Sequence, residues 1–181
     1  MTVGGEHVLV VGGTGILAPA VQALAARGAA VSVVSRSADA SRPGVPVPPS
    51  GLVVADVTDT AAFGRAVDEA VASRGPVRLA LAYQPFAPQA AWELLAERTE
   101  GLMVALLVSA FAAEGAPPPP LPEGRRGDAV VRHLLLGWHR GPDGSRWHTP
   151  AEVSEAALRV AGRGESAVLG TVTPWSERPG H

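Results

Sequence analysis

The stretch VLVVGGTGILA, residues 8–18, decides the fold of this chain, because an apolar run breaks into a glycine-rich turn and then enters a helix pattern. Apolar β-forming residues precede the turn, and the helix pattern ends near Arg27. Gly12 permits a tight turn, Gly15 lets a phosphate approach the backbone, and the small Ala18 lets the helix pack on the strand. Because amides at a helix start attract anions, the stretch predicts a dinucleotide site; the alternative is a purely structural turn.

Strand patterns alternate with helix patterns along the rest of the chain. The helix expected after the second strand is short or missing, since residues 42–50 are rich in proline. Nearly continuous apolar strands separated by helices indicate a Rossmann-like, doubly wound parallel α/β sheet of about seven strands with helices on both faces. We expect one domain over residues 1–181, with 173–181 as a C-terminal tail. Further strands are predicted at 30–35, 52–56, 77–83, 102–110, 129–139 and 167–172, and helices after Thr58 or Asp59, over 89–100 and after Thr149.

Turn and capping signals organise the last third of the chain. The proline-rich residues 116–122 predict an extended surface connection. A turn at 141–144 predicts a hairpin in which Trp138 faces Trp147. The sequence Thr-Pro-Ala-Glu at 149–152 predicts a capped helix start, and Gly162 is the expected end of that helix.

The composition excludes several classes of function. The 181 residues are 46% apolar, enough for one core, and a formal net charge of -2 argues against a nucleic-acid-binding surface. Cysteine is absent, which rules out disulfides and thiolate chemistry. Lysine is absent too, which rules out Schiff-base chemistry and any lysine that would lower a tyrosine pKa. No apolar run predicts a membrane span or a secretion signal, so we expect a cytoplasmic protein with no membrane partner.

The glycine turn, the Ser35-Arg36 pair and the Asp56-Val57 pair resemble those of the short-chain dehydrogenase/reductase superfamily, in particular its atypical and truncated bacterial members. The resemblance covers roughly the first third of the chain, and residues 146–152 and 170–175 resemble the ending of small bacterial dehydrogenase-like proteins. It implies that the carboxylate at position 56 binds the adenine amino group and that the next backbone lines the adenine pocket. The cofactor-binding residues that it implies are Gly12, Gly13, Thr14, Gly15, Ile16, Leu17, Ser35, Arg36, Ser37, Asp56 and Val57.

The segment after the second strand predicts which cofactor is bound. NAD selectivity usually requires an acidic residue there, whereas Ser35-Arg36-Ser37 offers two hydroxyls and a guanidinium. These groups suit a 2′-phosphate, so we expect NADP(H). The alternative is that Arg36 is a solvated loop residue.

The family's catalytic pattern is largely missing. Its proton donor is a tyrosine four residues before a lysine, and here the only tyrosine is Tyr83, at the end of the fourth strand. Ala-Tyr-Gln-Pro at 82–85 replaces the usual Asn-Ala-Gly, and Ser109 matches the family's catalytic serine. Tyr83, Gln84 and Ser109 are placed to face nicotinamide or substrate. Tyr83 is a candidate proton donor with a pKa lowered by NADP or an arginine, or else a ring capping the sheet; Ser109 is a candidate catalytic residue or bonds the following turn.

The predicted hairpin carries two histidines and two tryptophans. His139 and His148 share a face, where they act as acid and base, hold a metal or are plain surface residues; without a third ligand we predict no metal site. Trp138 and Trp147 form either a substrate wall or a contact between copies of the chain. We expect the protein to be a homo-oligomer. Glu152 is assigned to its capping box.

These observations leave three functions open. The first is an NADP(H)-dependent oxidoreductase that lacks the Tyr-Lys pair and acts on a small-molecule carbonyl or imine. The second is a non-catalytic NADP(H)-binding sensor or structural module. The third is a non-redox cyclase or isomerase on the same fold.

Overall fold

The computed structural model describes residues 5–36 and 51–180; Ser37, the loop at 42–50 and the question of a helix after the second strand lie outside these ranges. The helices are α1 (Ala18–Ala26), α2 (Thr60–Arg74), α3 (Gln89–Glu97) and α4 (Pro150–Arg163). The strands are β1 (His7–Val11), β2 (Ala30–Ser35), β3 (Leu52–Val54), β4 (Val77–Ala82), β5 (Thr99–Val108), β6 (Gly124–Arg126), β7 (Ala129–Leu136), β8 (Trp138–Gly141), β9 (Gly144–Trp147) and β10 (Ala167–Leu169).

Seven of these strands run parallel in the order β3-β2-β1-β4-β5-β7-β10, which confirms the predicted Rossmann-like doubly wound sheet. Strand β6 was not predicted. It pairs antiparallel with the first half of β7. Strand β10 pairs parallel with the last residues of β7, on the same outer edge. Parallel strands end at a common edge, so Val11, Ser35, Ala82 and Val108 bring the segments that follow them together.

Two helices of the described ranges cover each face of the sheet. Successive strand residues point to opposite faces, so Val8 and Val10 pack with α1 and α4, while Leu9 and Val11 pack with α2 and α3. Strand β1 is buried on both faces, which is why it reads as a continuous apolar run. None of the helices in the described ranges is long and apolar enough to cross a membrane.

Helix ends follow their caps. Asp59 accepts a hydrogen bond from the Ala62 amide (2.9 Å) and begins α2, as predicted. Thr149 and Glu152 form the predicted capping box of α4. The prediction that α4 ends at Gly162 is wrong, because the helix continues to Arg163 and its left-handed cap is Gly164, with φ 68°.

The strand predicted at 129–139 is broken at Gly137. A side chain there would meet the Thr171 carbonyl, and the chain turns from β7 into the hairpin β8-β9. In that hairpin Trp138 pairs with Trp147, as predicted. The segment after β10 then pairs with β8, since the Trp138 amide donates to the Thr171 carbonyl at 2.9 Å. Residues 170–178 therefore pack beside the hairpin at the edge where the parallel strands end.

Candidate functional site

A cleft of about 730 Å³ opens where β1 and β4 end opposite β2 and β3. This is the place at which the strand order reverses and at which open α/β sheets bind their ligands. The predicted residues that line it are Gly12, Thr14, Ser35, Arg36, Asp56, Val57 and Tyr83, joined by Thr58 and by residues 84–87.

The glycine turn forms one wall of the cleft. Gly12 has φ +86°, and its carbonyl accepts hydrogen bonds from the amides of Gly15 and Leu17, both at 3.2 Å. A side chain at Gly15 would meet nothing within 4 Å, so the space in front of the turn is open. The amides of Thr14 and Ile16 have no backbone partner within residues 5–36 and 51–180. Open space and free amides are what a phosphate requires.

Other residues of the turn serve packing. A side chain at Gly13 would lie 2.9 Å from Val33 and 3.0 Å from Val21, so glycine at this position lets α1 approach the sheet. The close packing expected at Ala18 thus falls at Gly13. Leu17 is fully buried and its amide is already bonded, so neither its side chain nor its amide faces the cleft.

Arg36 and Asp56 lie at the far end of the cleft. The amide and hydroxyl of Thr58 donate to Asp56 Oδ1 at 2.9 and 2.8 Å. These bonds, with a smaller effect of the Arg36 charge, hold the pKa of Asp56 below its usual range, so the carboxylate is ionised. The Arg36 guanidinium is exposed and has no hydrogen bond to the described residues. One anion acceptor and one cation therefore face the same opening.

Tyr83 packs directly over the glycine turn. A side chain at Gly12 would lie 3.2 Å from Tyr83 Cβ, and the Tyr83 amide donates to the Val11 carbonyl at 3.0 Å. Burial raises the pKa of the phenol, which is opposite to the lowering expected from a nearby arginine. Tyr83 therefore stays protonated at neutral pH and can donate a hydrogen bond into the cleft.

Gln84 lines the cleft, as expected, but the sequence did not predict that its amide is buried without a hydrogen-bond partner. It is 3% exposed, it lines the cleft, and neither its amide nitrogen nor its amide oxygen has a hydrogen-bond partner among the described residues. A buried amide without partners costs about 1–3 kcal/mol. The neighbouring Phe86 is 91% exposed at the rim of the same cleft. No local signal distinguishes these residues from ordinary loop residues.

Ser109 lies outside the cleft. It is 3% exposed at the start of a 3₁₀ turn after β5, and its hydroxyl accepts a hydrogen bond from Arg178 Nε at 3.2 Å. In the described part of the chain, no hydrogen bond joins it to Tyr83. The two predicted catalytic residues thus occupy the same edge of the sheet but not one constellation.

The two hairpin histidines are neighbours in the structure. The rings of His139 and His148 are 6.3 Å apart, and no group of three potential ligands occurs in residues 5–36 and 51–180. The His148 side chain is 7% exposed, and burial lowers its pKa, so it is neutral at pH 7. Its Nδ1 is 3.6 Å from a Glu152 carboxylate oxygen, and Glu152 belongs to the cap of α4.

No protein-family model and no curated protein matches the chain. Solved structures do. A short-chain dehydrogenase/reductase from Serratia marcescens is 19% identical, with a TM-score of 0.65, over 94% of this chain and 98% of its own. A citronellol catabolism dehydrogenase from Pseudomonas aeruginosa is 18% identical, with a TM-score of 0.70, over 96% and 97%. A metagenomic short-chain oxidoreductase in complex with NADP is 14% identical, with a TM-score of 0.68, over 94% and 98%.

These likenesses extend over nearly the whole chain, well beyond the first third in which the sequence resemblance lies. At such identities they concern the fold. The sheet order, the glycine turn after β1 and the cleft at the strand ends agree with the predicted resemblance. The chain has the fold of the short-chain dehydrogenases/reductases.

Proposed function

We propose that this chain binds NADP(H) in the cleft and is an oxidoreductase of atypical mechanism, acting on a small-molecule carbonyl or imine without a Tyr-Lys pair. One observation carries the proposal: the cleft holds the buried amide of Gln84, which has no hydrogen-bond partner among the described residues, together with the exposed guanidinium of Arg36. The complex of a similarly folded oxidoreductase with NADP supports the same cofactor class.

The residues present fit the cofactor. The open glycine turn, with the amides of Thr14 and Ile16, would receive the pyrophosphate. Arg36 would pair with the 2′-phosphate, and Asp56 would accept from the adenine amino group. When bound, NADP(H) supplies the hydride. The chain itself must bind and orient the cofactor and the substrate and must exchange a proton with the substrate.

Tyr83 is the group in the cleft that can donate that proton. Its phenol is protonated at neutral pH, and it lies over the turn that would hold the cofactor. Burial raises its pKa, which makes it a weaker acid than an ordinary tyrosine. Ser109 lies apart from Tyr83, in the segment that follows β5. Among the described residues, Tyr83 has no charged hydrogen-bond partner, and the charged partner of Ser109 is Arg178, which does not release a proton at neutral pH. We therefore expect slow turnover.

A non-catalytic NADP(H)-binding sensor is the second candidate. It is favoured by the hydrogen bond that ties Ser109 to Arg178 and by the raised pKa of Tyr83. Both functions share the nucleotide site, and they differ in turnover alone. A protein that binds NADPH tightly yet does not oxidise it with any carbonyl or imine would be a sensor.

The first experiment is a titration of the purified protein with NADPH and with NADH, followed by tryptophan fluorescence and checked by calorimetry. Saturable binding that prefers NADPH is the expected result, because Arg36 can pair with a phosphate that NADH lacks. If neither nucleotide binds, the proposal is wrong. NADPH consumption with a panel of carbonyls and imines then separates enzyme from sensor. A cytoplasmic location and a homo-oligomeric state stay predictions, and light scattering coupled to size exclusion measures the latter.

A further inference from the structure

Arg178 occupies an unusual position at the edge where β5 ends. It is half-buried in the segment that follows the 3₁₀ turn Trp175–Glu177, and its guanidinium carbon lies 4.9 Å from the ring centre of Trp147 and 5.2 Å from that of Trp175. Its Nε donates to the Ser109 hydroxyl, 69 residues away in sequence. The guanidinium is thus held in place by two rings and one hydrogen bond.

Among the described residues, no carboxylate compensates the charge of Arg178, unlike the charges of the neighbouring arginines. Arg140 pairs with Glu177 at 2.6 Å, and Arg146 pairs with Glu152 at 2.8 Å. Both of these carboxylates are therefore already paired. Within residues 5–36 and 51–180, no carboxylate lies within ion-pair distance of Arg178, and no hydrogen bond involves its two terminal nitrogens.

A guanidinium in this state is suited to an oxyanion. Aromatic rings orient the cation and exclude water from its faces but do not neutralise it. With Nε bonded to Ser109, the two terminal nitrogens remain as a planar pair of donors, which matches a carboxylate or a phosphate. Arg178 is partly exposed to solvent.

The position of this group relates it to the cleft. Ser109 follows β5 directly, and β5 pairs with β4, whose next residue is Tyr83. Both groups consequently lie beyond the carboxyl ends of adjacent parallel strands. A ligand that contacts both the cleft and Arg178 would have to extend along this edge, past the end of β5.

We propose that Arg178, framed by Trp147 and Trp175 and positioned by Ser109, binds the anionic group of the substrate, so that the substrate class is a carbonyl or imine bearing a carboxylate or a phosphate. This inference rests on the proposed function. Arg178 binds the non-reacting end of the substrate, and Ser109 is a positioning residue. The alternative is that Arg178 binds no ligand and only stacks on the tryptophan rings, which holds the C-terminal segment against the hairpin. The test must distinguish these two roles.

The test uses the cofactor-free protein and two probes, sodium benzoate and sodium phosphate, titrated at an ionic strength fixed with sodium chloride. The readout is the chemical shift of the indole N–H groups of Trp147 and Trp175, assigned with Trp147→Phe and Trp175→Phe. We expect saturable shifts with at least one probe, weakened by at least about tenfold in Arg178→Gln. Arg125→Gln removes the same charge from an exposed arginine on β6 and should leave the affinity unchanged.

Three outcomes overturn the inference: no saturable shift with either probe, equal affinity in Arg178→Gln, or equal loss in Arg125→Gln. If Arg178→Gln displaces the Trp175 signal before any probe is added, Arg178→Lys decides, because an ammonium keeps the cation over the rings but loses the planar donor pair. Weaker binding in Arg178→Lys supports the inference, and unchanged binding overturns it. The stronger probe identifies the substrate's anion as carboxylate or phosphate.

The cofactor provides a separate arm. NADPH affinity should be the same in Arg178→Gln and in the wild type, since Arg36 and the glycine turn line the cleft and Arg178 does not. A loss of NADPH affinity in Arg178→Gln would place a cofactor phosphate at Arg178 and overturn the assignment to substrate. If the wild type binds no NADPH at all, the proposed function fails while the anion titration remains interpretable.

Discussion

At the scale of single residues, Arg36 separates two cofactors that differ by one phosphate. Arg36→Ala should weaken NADPH binding by about tenfold to a hundredfold, the range expected for a lost charge-assisted hydrogen bond, and should change NADH binding by less than about twofold. Calorimetric titration with both nucleotides measures the two affinities. Arg125→Ala is the matched control, since it removes an exposed arginine from β6. Equal losses for NADPH and NADH would contradict the assignment of Arg36.

Gln84 offers a second test at the same scale, because its buried amide has no hydrogen-bond partner among the described residues. Gln84→Met keeps the length of the side chain and removes the unpaired amide. We expect the free energy of unfolding to rise by about 1 kcal/mol while NADPH affinity falls. Urea denaturation and calorimetry measure these two quantities. Gln89→Met, at an exposed glutamine bonded to Glu93, should change neither; a destabilised Gln84→Met with normal affinity would show that the amide serves folding.

At the scale of elements, the start of α4 joins the hairpin to the glycine turn. Thr149 and Glu152 close its capping box, and the Ser154 hydroxyl donates to the Ile16 carbonyl at 3.2 Å. Thr149→Ala should lower the free energy of unfolding by about 1 kcal/mol, whereas Thr149→Ser keeps the capping hydroxyl and most of the stability. Chemical denaturation measures both variants. Identical losses in the two variants would mean that the methyl group of Thr149, and not the cap, stabilises the helix.

His7 links three elements and makes stability depend on pH. Its Nδ1 donates to the Gly75 carbonyl at 2.7 Å, so Nε2 accepts from the Ser32 hydroxyl at 2.8 Å and the ring is neutral. Burial lowers the pKa of His7, so below about pH 6.5 the unfolded chain takes up a proton that the folded chain refuses. The free energy of unfolding should therefore fall as the pH drops from 7.5 to about 5.5, and buried His148 acts in the same direction.

The double variant His7→Val/Ser32→Ala removes the ring together with the hydroxyl that it pairs. Denaturation curves between pH 7.5 and about 5.5 should show a shallower decline than the wild type, by no more than the titration of one proton. Above pH 7 the two slopes should coincide, which is the internal control. Parallel curves over the whole range would exclude His7 as a source of the pH dependence.

At the scale of the whole molecule, two apolar clusters share one sheet. Strand β1 contributes Val8 and Val10 to one cluster and Leu9 and Val11 to the other. Neither cluster can lose its strands without exposing the other, so the chain should unfold in a single transition, in line with the predicted single domain. Circular dichroism and tryptophan fluorescence should give coincident denaturation curves. Two separated transitions would show that the faces of the sheet melt independently.

The sequence predicted those features whose cause is local. The glycine turn at Gly12, the cap at Asp59 and the capping box at Thr149 each depend on a few neighbouring residues, and the structure confirms them. The end of α4 was misplaced because two glycines lie close together there, and left-handed geometry at Gly164 decides between them. The residues Gly-Arg-Arg of β6 carry no strand signal, since pairing with β7 alone makes them a strand.

Long-range contacts account for what the sequence left unpredicted in the site. No residue near Ser109 in the sequence predicts its hydrogen bond with Arg178. Similarly, no residue near Gln84 predicts that its amide is buried without a partner. The burial that raises the pKa of Tyr83 arises from the packing of β4 beside the glycine turn, which no local pattern in the sequence indicates. Such electrostatic properties belong to the assembled edge of the sheet.

In the part of the chain that the structure describes, the margins of the main sheet are formed by very short strands. β3 at one side, and β6 and β10 at the other, are each three residues long. Exposed backbone groups at a sheet edge act as a template on which other chains add, and the number of such groups limits how firmly a chain can attach. Here an incoming strand would form few main-chain hydrogen bonds before it met a loop. The fold thereby protects an alanine- and valine-rich sheet from growing into fibrillar aggregates at high protein concentration.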